Sequence, residues 1–163
     1  MPMTSLLSRD DEAGRRLPHH QPNCLGCGPA NESGLRIAFV RDGDGVRGAF
    51  AFDKRHEGAP GLAHGGAVAA ALDEAAGTAL MPLRLPAVTA QLNVSFAEPI
   101  PLGRELSVRA RLDHRDGRKL YITVALESDD RVAARAEALF IEVAPEHFTA
   151  HGAEPGDIPA LGI

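Results

Sequence analysis

The sequence predicts an α+β fold in which an antiparallel β-sheet wraps around one long helix. Segments that alternate apolar and polar residues recur along most of the chain, and short turns rich in Gly, Pro and Asp separate them. One stretch, 63–80, is rich in Ala and Leu and favours a helix instead. The predicted order is therefore β-β-α-β-β-β-β, with one sheet face packed on the helix.

Two strands are predicted before the helix. Residues 34–40 and 46–52 alternate in polarity, and the Asp- and Gly-rich segment 41–45 lies between them, which is typical of a β-hairpin. A loop with Gly and Pro at 57–61 leads into the helix. Pro82 ends the helix, because proline has no backbone N–H to continue it.

Four strands are predicted after the helix. They occupy residues 88–96, 105–112, 120–127 and 132–143, with turn signals between them. Residues 131–138 are rich in Ala and would suit a helix on propensity alone, but the apolar run Leu139 to Val143 continues them as a strand. Such a sheet has edges that need protection, and dimerisation would provide it.

Composition favours one globular domain in a reducing compartment. The chain has 163 residues, of which 44% are hydrophobic and 24% charged. Its formal charge of −5 disfavours general nucleic-acid binding. Two closely spaced cysteines do not make a disulfide framework, and neither a signal peptide nor a membrane segment is evident. We therefore expect a cytoplasmic protein that binds neither membrane nor nucleic acid.

The chain divides into three parts by pattern. Residues 1–22 are polar and aperiodic, which predicts a flexible arm. The folded domain is expected over 23–144. Residues 145–163 mix Pro, Gly and charges without a period, which predicts an irregular tail.

The start of the predicted helix is the first candidate site. Gly65 and Gly66 follow His64 where alanine would propagate a helix better, which indicates a close approach to the backbone. Free N–H groups in a first helical turn stabilise negative charge developing on an oxygen. The glycines could equally serve only to pack the helix against the sheet.

A pair of acidic residues follows on the same helix. Asp73 interrupts an alanine-rich run, where a buried carboxylate would be costly. Glu74 lies about 100° further round the helix, so the two side chains cannot face the same way, and solvent exposure is the simplest alternative. On the next strand, Thr89 and Asn93 are expected to share a face and to be able to bond a carboxylate or a water.

Two further segments carry polar side chains that could bind a ligand. Cys24 and Cys27 resemble half of a zinc knuckle, with His19 or His20 as completing ligands, but two adjacent histidines do not both turn inward easily. We therefore predict no metal and no redox pair. A predicted hairpin turn offers three basic side chains that suit a nucleotide phosphate or simply face solvent: Arg115, Arg118 and Lys119.

Several of these segments together resemble the PaaI-like hotdog thioesterases. They are the His-Gly-Gly run with its downstream Asp-Glu pair, the strand TAQLNVSF, the turn PIPL, the hairpin GRK and the upstream CLGCG, and the likeness spans about 24–143. The strand and hairpin segments are especially similar to mammalian superfamily members that hydrolyse long-chain acyl-CoA. The resemblance implies a hotdog fold, paired into homodimers and often into homotetramers.

The resemblance also implies roles for individual residues. Asp73 matches the catalytic carboxylate, Gly65 the helix-start amide, Thr89 the supporting hydroxyl and His64 the motif histidine. Some relatives carry Asn or Gln at the position of Gly58, where the side-chain amide places a water. Gly58 has no such amide, so Thr89 would contribute more to the site here. The remaining candidates, expected to bind substrate, are Gly66, Glu74, Asn93 and the three basic hairpin residues. The implied reaction is hydrolysis of an acyl-CoA without a cofactor.

Two other functions compete with that one. A hotdog module could bind an acyl-CoA-like ligand without turnover, whereas a dehydratase would need a catalytic histidine in a motif that is absent. The acyl group is not predicted from sequence. Its pocket is expected to be formed by Leu72, Ala76, Leu80 and the turn 81–84.

Overall fold

A computed structural model describes residues 14–158 and contains one six-stranded antiparallel sheet. The strands are β1 (Ala38–Asp42), β2 (Gly45–Phe50), β3 (Ala87–Phe96), β4 (Leu106–Asp116), β5 (Lys119–Ser128) and β6 (Arg131–Glu142). Helix α1 (Gly65–Thr78) lies between β2 and β3 in the chain. A 3₁₀ turn occupies Lys54–His56, and a single helical turn occupies Glu146–Thr149. The predicted element order is confirmed.

The core lies between α1 and one face of the sheet. Helix residues Val68, Leu72 and Ala76 are buried, as are alternate residues of the three long strands β4, β5 and β6. Alanines on the buried helix face let the backbone approach the sheet closely, so larger strand side chains fill the space. This packing fixes the orientation of α1 and of every side chain it carries.

Strand β3 is the exposed edge of the sheet. The strand order is β1-β2-β4-β5-β6-β3, so the chain crosses from α1 to the far edge and pairs only with β6 among the described residues. None of the ten residues of β3 is buried, whereas β5 buries every second residue. A long strand with one unpaired side is a surface for association with another strand.

The first strand begins later than predicted. Residues 34–37 do not join the sheet, because Arg36 adopts a positive φ of 52° and turns the backbone. Instead, the N–H groups of Leu35 and Ile37 donate to the carbonyls of Leu25 and Gly26. This segment therefore holds the loop that carries Cys24 and Cys27.

The two ends of the described region both return to the domain. The predicted flexible arm lies outside the described residues for 1–13, but from Gly14 onward it donates hydrogen bonds to the backbone of β1. The predicted tail is described to Ile158, and Phe148 and Ile158 both line a cavity beside α1. Within residues 14–158, no helix is long and apolar enough to cross a membrane.

Candidate active site

His64 caps the N-terminus of α1. Its Nδ1 accepts a hydrogen bond of 2.8 Å from the N–H of Gly66, so that amide is already occupied. Gly65 is the first helical residue, where an N–H has no acceptor within the helix. A Cβ on Gly58 would lie 2.9 Å from the Cα of His64, which explains why an amide side chain does not fit at that position.

An open cleft of about 370 Å³ lies beside the helix start. Gly65, Val68 and Phe96 line it, and the Phe96 side chain at the end of β3 is 57% exposed. A Cβ on Gly65 would stand 3.6 Å from the Phe96 ring, in ordinary van der Waals contact. The cleft thus combines an apolar wall with the positive end of the helix dipole.

Asp73 lies on the side of α1 that faces the beginning of β3. The Thr89 hydroxyl donates a hydrogen bond of 2.8 Å to Asp73 Oδ1. Because Asp73 is only partly buried, its second carboxylate oxygen remains available to a ligand or a water. The structure therefore brings together Asp73 and Thr89 as expected.

A β-bulge separates Thr89 from Asn93. Thr89 lies opposite Phe140 and Gln91 lies opposite the next residue, Leu139, so Ala90 has no counterpart on β6. The extra residue reverses the alternation, and the prediction that Thr89 and Asn93 share a face is wrong. Asn93 lies opposite the exposed Glu137, on the face away from α1.

A cavity of about 200 Å³ adjoins Asp73. Its wall is mainly apolar and includes Leu80, Met81 and Phe140. Of the predicted pocket residues, Leu80 and Met81 are present, whereas Leu72 and Ala76 lie in the core with no exposed surface. The pocket prediction is wrong for those two, because their helix face packs against the sheet.

The two clefts lie at opposite ends of β3. Gly65 and Asp73 are eight residues apart on α1, which corresponds to about 12 Å along the helix axis. One thioester carbonyl cannot contact both groups at that separation. Within one protomer, the Gly65 amide and the Asp73 carboxylate therefore do not form a single site.

Glu74 points to the N-terminal loop. Its Oε1 lies 2.8 Å from His20 Nδ1, and its Oε2 lies 3.3 Å from Cys24 Sγ. The Glu74 side chain is 10% exposed. Glu74 also lines the cavity that adjoins Asp73, so it lies between that cavity and the N-terminal loop.

Four ligating side chains meet at this point, and we call them the Cys–His–Glu cluster: His20, Cys24, Cys27 and Glu74. Burial lowers the pKa of His20, but hydrogen bonds to Cys24 and Glu74 outweigh it and raise the pKa to about 10. A hydrogen bond from Cys27 lowers the pKa of the Cys24 thiol. The sequence suggested His20 and the cysteines as one group, but Glu74 was expected only as a substrate ligand and not as their partner.

The basic hairpin lies at the same end of the sheet as Asp73. Lys119 is opposite Ile141 on β6, and Ile141 is opposite Val88, the neighbour of Thr89. Arg115 forms an ion pair with Glu142. Within the described part of the chain, Arg118 and Lys119 have no acidic partner, so their charges are available to a ligand.

Comparisons with known proteins find similarity to thioesterases. Residues 60–134 match the thioesterase superfamily. The acyl-coenzyme A thioesterase THEM4 of Mus musculus is 38% identical over 92 residues, which cover 55% of this chain and 40% of that protein. The acyl-coenzyme A thioesterase THEM4 of Bos taurus is also 38% identical over 92 residues, which cover 55% of this chain and 38% of that protein. The chain thus spans about two fifths of the length of these curated relatives.

Solved structures share the fold. A thioesterase superfamily protein superposes with a TM-score of 0.71 at 28% identity, covering 74% of this chain and 61% of that one. The PaaI protein of E. coli, from the phenylacetic acid degradation operon, gives a TM-score of 0.63 at 17% identity, covering 68% and 81%. Residues 60–134 are thus similar to the thioesterase superfamily, and the chain has the hotdog fold of these solved structures.

Proposed function

We propose that this protein is an acyl-CoA thioesterase that hydrolyses an acyl-CoA to a free acid and CoA. The observation that carries the proposal is the pair of half-sites at the two ends of one exposed edge strand. One half-site offers the Asp73 carboxylate held by Thr89, and the other offers the Gly65 amide at a helix start. General-base and oxyanion-stabilising groups of this kind are what thioester hydrolysis requires.

The proposed active unit is a homodimer. If β3 of two copies pairs antiparallel about Leu92 and Asn93, the Thr89 end of one strand meets the Phe96 end of the other. Gly65 of one protomer then approaches Asp73 of its partner, which completes two equivalent sites by symmetry. The exposed, unpaired side of β3 supports this arrangement. Association of two dimers into a tetramer is part of the same proposal.

The chemistry follows from the assembled site. The thioester carbonyl oxygen accepts a hydrogen bond from the Gly65 N–H while the carbonyl carbon is attacked. In one route Asp73 removes a proton from the attacking water; in the other Asp73 attacks directly and water hydrolyses the resulting anhydride. In both routes the C–S bond breaks, the CoA sulfur leaves as a thiolate that takes up a proton, and the acid is released.

CoA would lie with its phosphates near the basic hairpin. Arg118 and Lys119 have no acidic partner within residues 14–158 and lie at the Asp73 end of the sheet. A Streptococcus pneumoniae hypothetical thioesterase, with a TM-score of 0.62 at 19% identity, has been solved with coenzyme A. The cavity beside Asp73 would then receive part of the acyl group. The free thiols of Cys24 and Cys27 suit the cytoplasm, where we place the protein.

Release of free CoA thiol from aromatic, short-chain and long-chain acyl-CoAs tests the reaction. We expect hydrolysis by the intact protein and a loss of about 10²-fold to 10⁴-fold in Asp73→Asn. Glu105→Gln is the matched control, because Glu105 is exposed and lines neither cleft. Tight CoA-ester binding without turnover would instead favour a binding module.

A complementation experiment tests the shared site. Asp73→Asn and Gly65→Val each disable one half-site, and mixed dimers of the two keep one intact site. Random exchange should therefore restore about a quarter of wild-type hydrolysis, since half of the dimers are mixed. No recovery in a mixture that demonstrably exchanges subunits would contradict a site built from two protomers.

A further inference from the structure

The Cys–His–Glu cluster supplies no group that reacts in the proposed hydrolysis, although His20 and Glu74 also line the cavity beside Asp73. Three of its members come from the loop at 20–27, and the fourth, Glu74, comes from α1. The cluster is half-buried to buried, with Cys27 at 9% exposure and Glu74 at 10%. Four side chains of this kind, converging from two distant segments, need a physical explanation.

The distances between the four ligand atoms fit a tetrahedral ion. His20 Nδ1 lies 3.3 Å from Cys27 Sγ and 3.9 Å from Cys24 Sγ, and all four atoms lie within 4.8 Å of one another. Tetrahedral zinc with Zn–S of about 2.3 Å and Zn–N of about 2.0 Å places sulfur and nitrogen ligands about 3.5 Å apart. Nothing larger than a rotamer adjustment is needed to surround one ion.

The surrounding backbone favours thiolates. The N–H of His20 donates to Cys27 Sγ at 3.2 Å, and the backbone N–H groups of Gly26 and Cys27 donate to Cys24. Donors of this kind stabilise metal-bound sulfur and orient it. Two thiolates beside a carboxylate would otherwise concentrate negative charge in a half-buried place, which is costly without a cation.

Two glycines give the loop the shape that the cluster requires. A Cβ on Gly26 would lie 2.2 Å from Glu74 Cγ, so a larger residue would push the carboxylate away. A Cβ on Gly28 would lie 2.4 Å from the backbone N of Cys24, so the turn around the cysteines closes only with glycine there. The loop is thus shaped to admit a helix carboxylate between its sulfur atoms.

We propose that the Cys–His–Glu cluster binds one Zn²⁺ ion. Two thiolates, one imidazole and one carboxylate form a closed four-ligand set, which is typical of a structural site rather than a catalytic one. The ion clamps the N-terminal loop to α1 at the residue next to Asp73. Its effect on hydrolysis is indirect, through the position of the helix.

Metal content of the full-length protein tests the proposal. The chain is purified under reducing conditions, exposed to zinc, dialysed, and measured by mass spectrometry of the element, with affinity from competition against a chelating dye. We expect about one zinc per chain, and loss of affinity by more than about tenfold in Cys24→Ser, Glu74→Gln and Gly26→Ala. The Gly26 variant changes no ligand and tests only the placement of Glu74.

Two control variants separate the cluster from its neighbours. His19→Gln alters the adjacent, exposed histidine, and Asp73→Asn alters the adjacent carboxylate. Both should keep wild-type zinc affinity, and the Asp73 variant should lose hydrolysis while doing so. Should the ligand variants fail to fold, Co²⁺ added to the wild-type protein gives a second readout, because thiolate ligands produce a charge-transfer absorption.

Three results would overturn the zinc site. The first is a wild-type protein that retains no zinc after dialysis. The second is equal zinc affinity in the wild type and in Cys24→Ser or Glu74→Gln. The third is a Co²⁺ form without thiolate charge transfer.

Discussion

Thr89 Oγ1 donates a hydrogen bond of 2.8 Å to Asp73 Oδ1, and this bond joins the edge strand to the helix. It uses one carboxylate oxygen and leaves the other free, so it fixes the direction in which Asp73 can act. Several expected outcomes follow from this bond and from other contacts of the domain.

Replacing Thr89 by Val removes the hydroxyl and keeps the shape of the side chain. A hydrogen bond to a charged group contributes about 1.5 kcal/mol, so we expect kcat to fall about tenfold with little change in KM. Steady-state thiol release measures both constants. Thr89→Ser, which restores the hydroxyl, should recover most of the rate; equal rates in the Val and Ser variants would argue against the bond.

Gly65→Ala should slow hydrolysis without lowering the stability of the fold. The added Cβ meets only the Phe96 ring at 3.6 Å, and alanine favours a helix by up to about 1 kcal/mol, so the melting temperature should not fall. In the proposed dimer the same methyl group enters the cleft that would receive the thioester. Misplacement there should slow hydrolysis by on the order of 10-fold to 100-fold. Unchanged hydrolysis would place the reaction elsewhere.

Leu72→Ala should destabilise the fold without touching either half-site. Leu72 is fully buried between α1 and the sheet, and such truncations cost about 3 kcal/mol. Urea unfolding measures the loss in free energy. Leu25→Ala is the control, since Leu25 is 54% exposed and its truncation should cost less than about 0.5 kcal/mol.

Asp53 should give a pH-dependent contribution to stability. Hydrogen bonds from the Arg55 side chain and backbone hold the pKa of the Asp53 carboxyl below its usual range. A lowered folded-state pKa means that the contribution is present above about pH 4 and is lost as pH falls below that value. The cost of Asp53→Ala in urea unfolding should therefore be larger at pH 7 than at pH 3. Asp44→Ala, at an exposed turn, should show no such difference.

The fold could be predicted because its signals are local. Alternation of polarity predicted all six strands, and the alanine-rich run predicted α1, whereas the His64 cap was not predicted. The start of β1 could not be predicted in the same way. Arg36 turns the backbone because the neighbouring segment bonds to the loop at Leu25 and Gly26, and those contacts are not visible in a local pattern.

One contact of the candidate site was predictable, because chemistry and helix geometry coincide there. Asp73 stood out because a carboxylate interrupts an apolar run, and its bond to Thr89 is present. Glu74 was harder to interpret, because its partner Cys24 lies 50 residues away in sequence. The distance between Cys24 and Glu74 in the fold depends on how the loop at 20–28 packs against α1. Tertiary packing decides this, and a local sequence pattern does not show it.

The bulge at Ala90 shifts the inward–outward alternation of side chains along β3 by one residue. Before it, Thr89 faces the helix; after it, Leu92 and Val94 take over the inward positions, opposite Ala138 and Ala136. Deleting Ala90 would restore a regular ladder in which Thr89 and Leu92 still face inward and Asn93 still faces outward. The pairing therefore absorbs the loss of one residue at the bulge, whereas a deletion between Leu92 and Val94 would turn the rest of the strand to the other side.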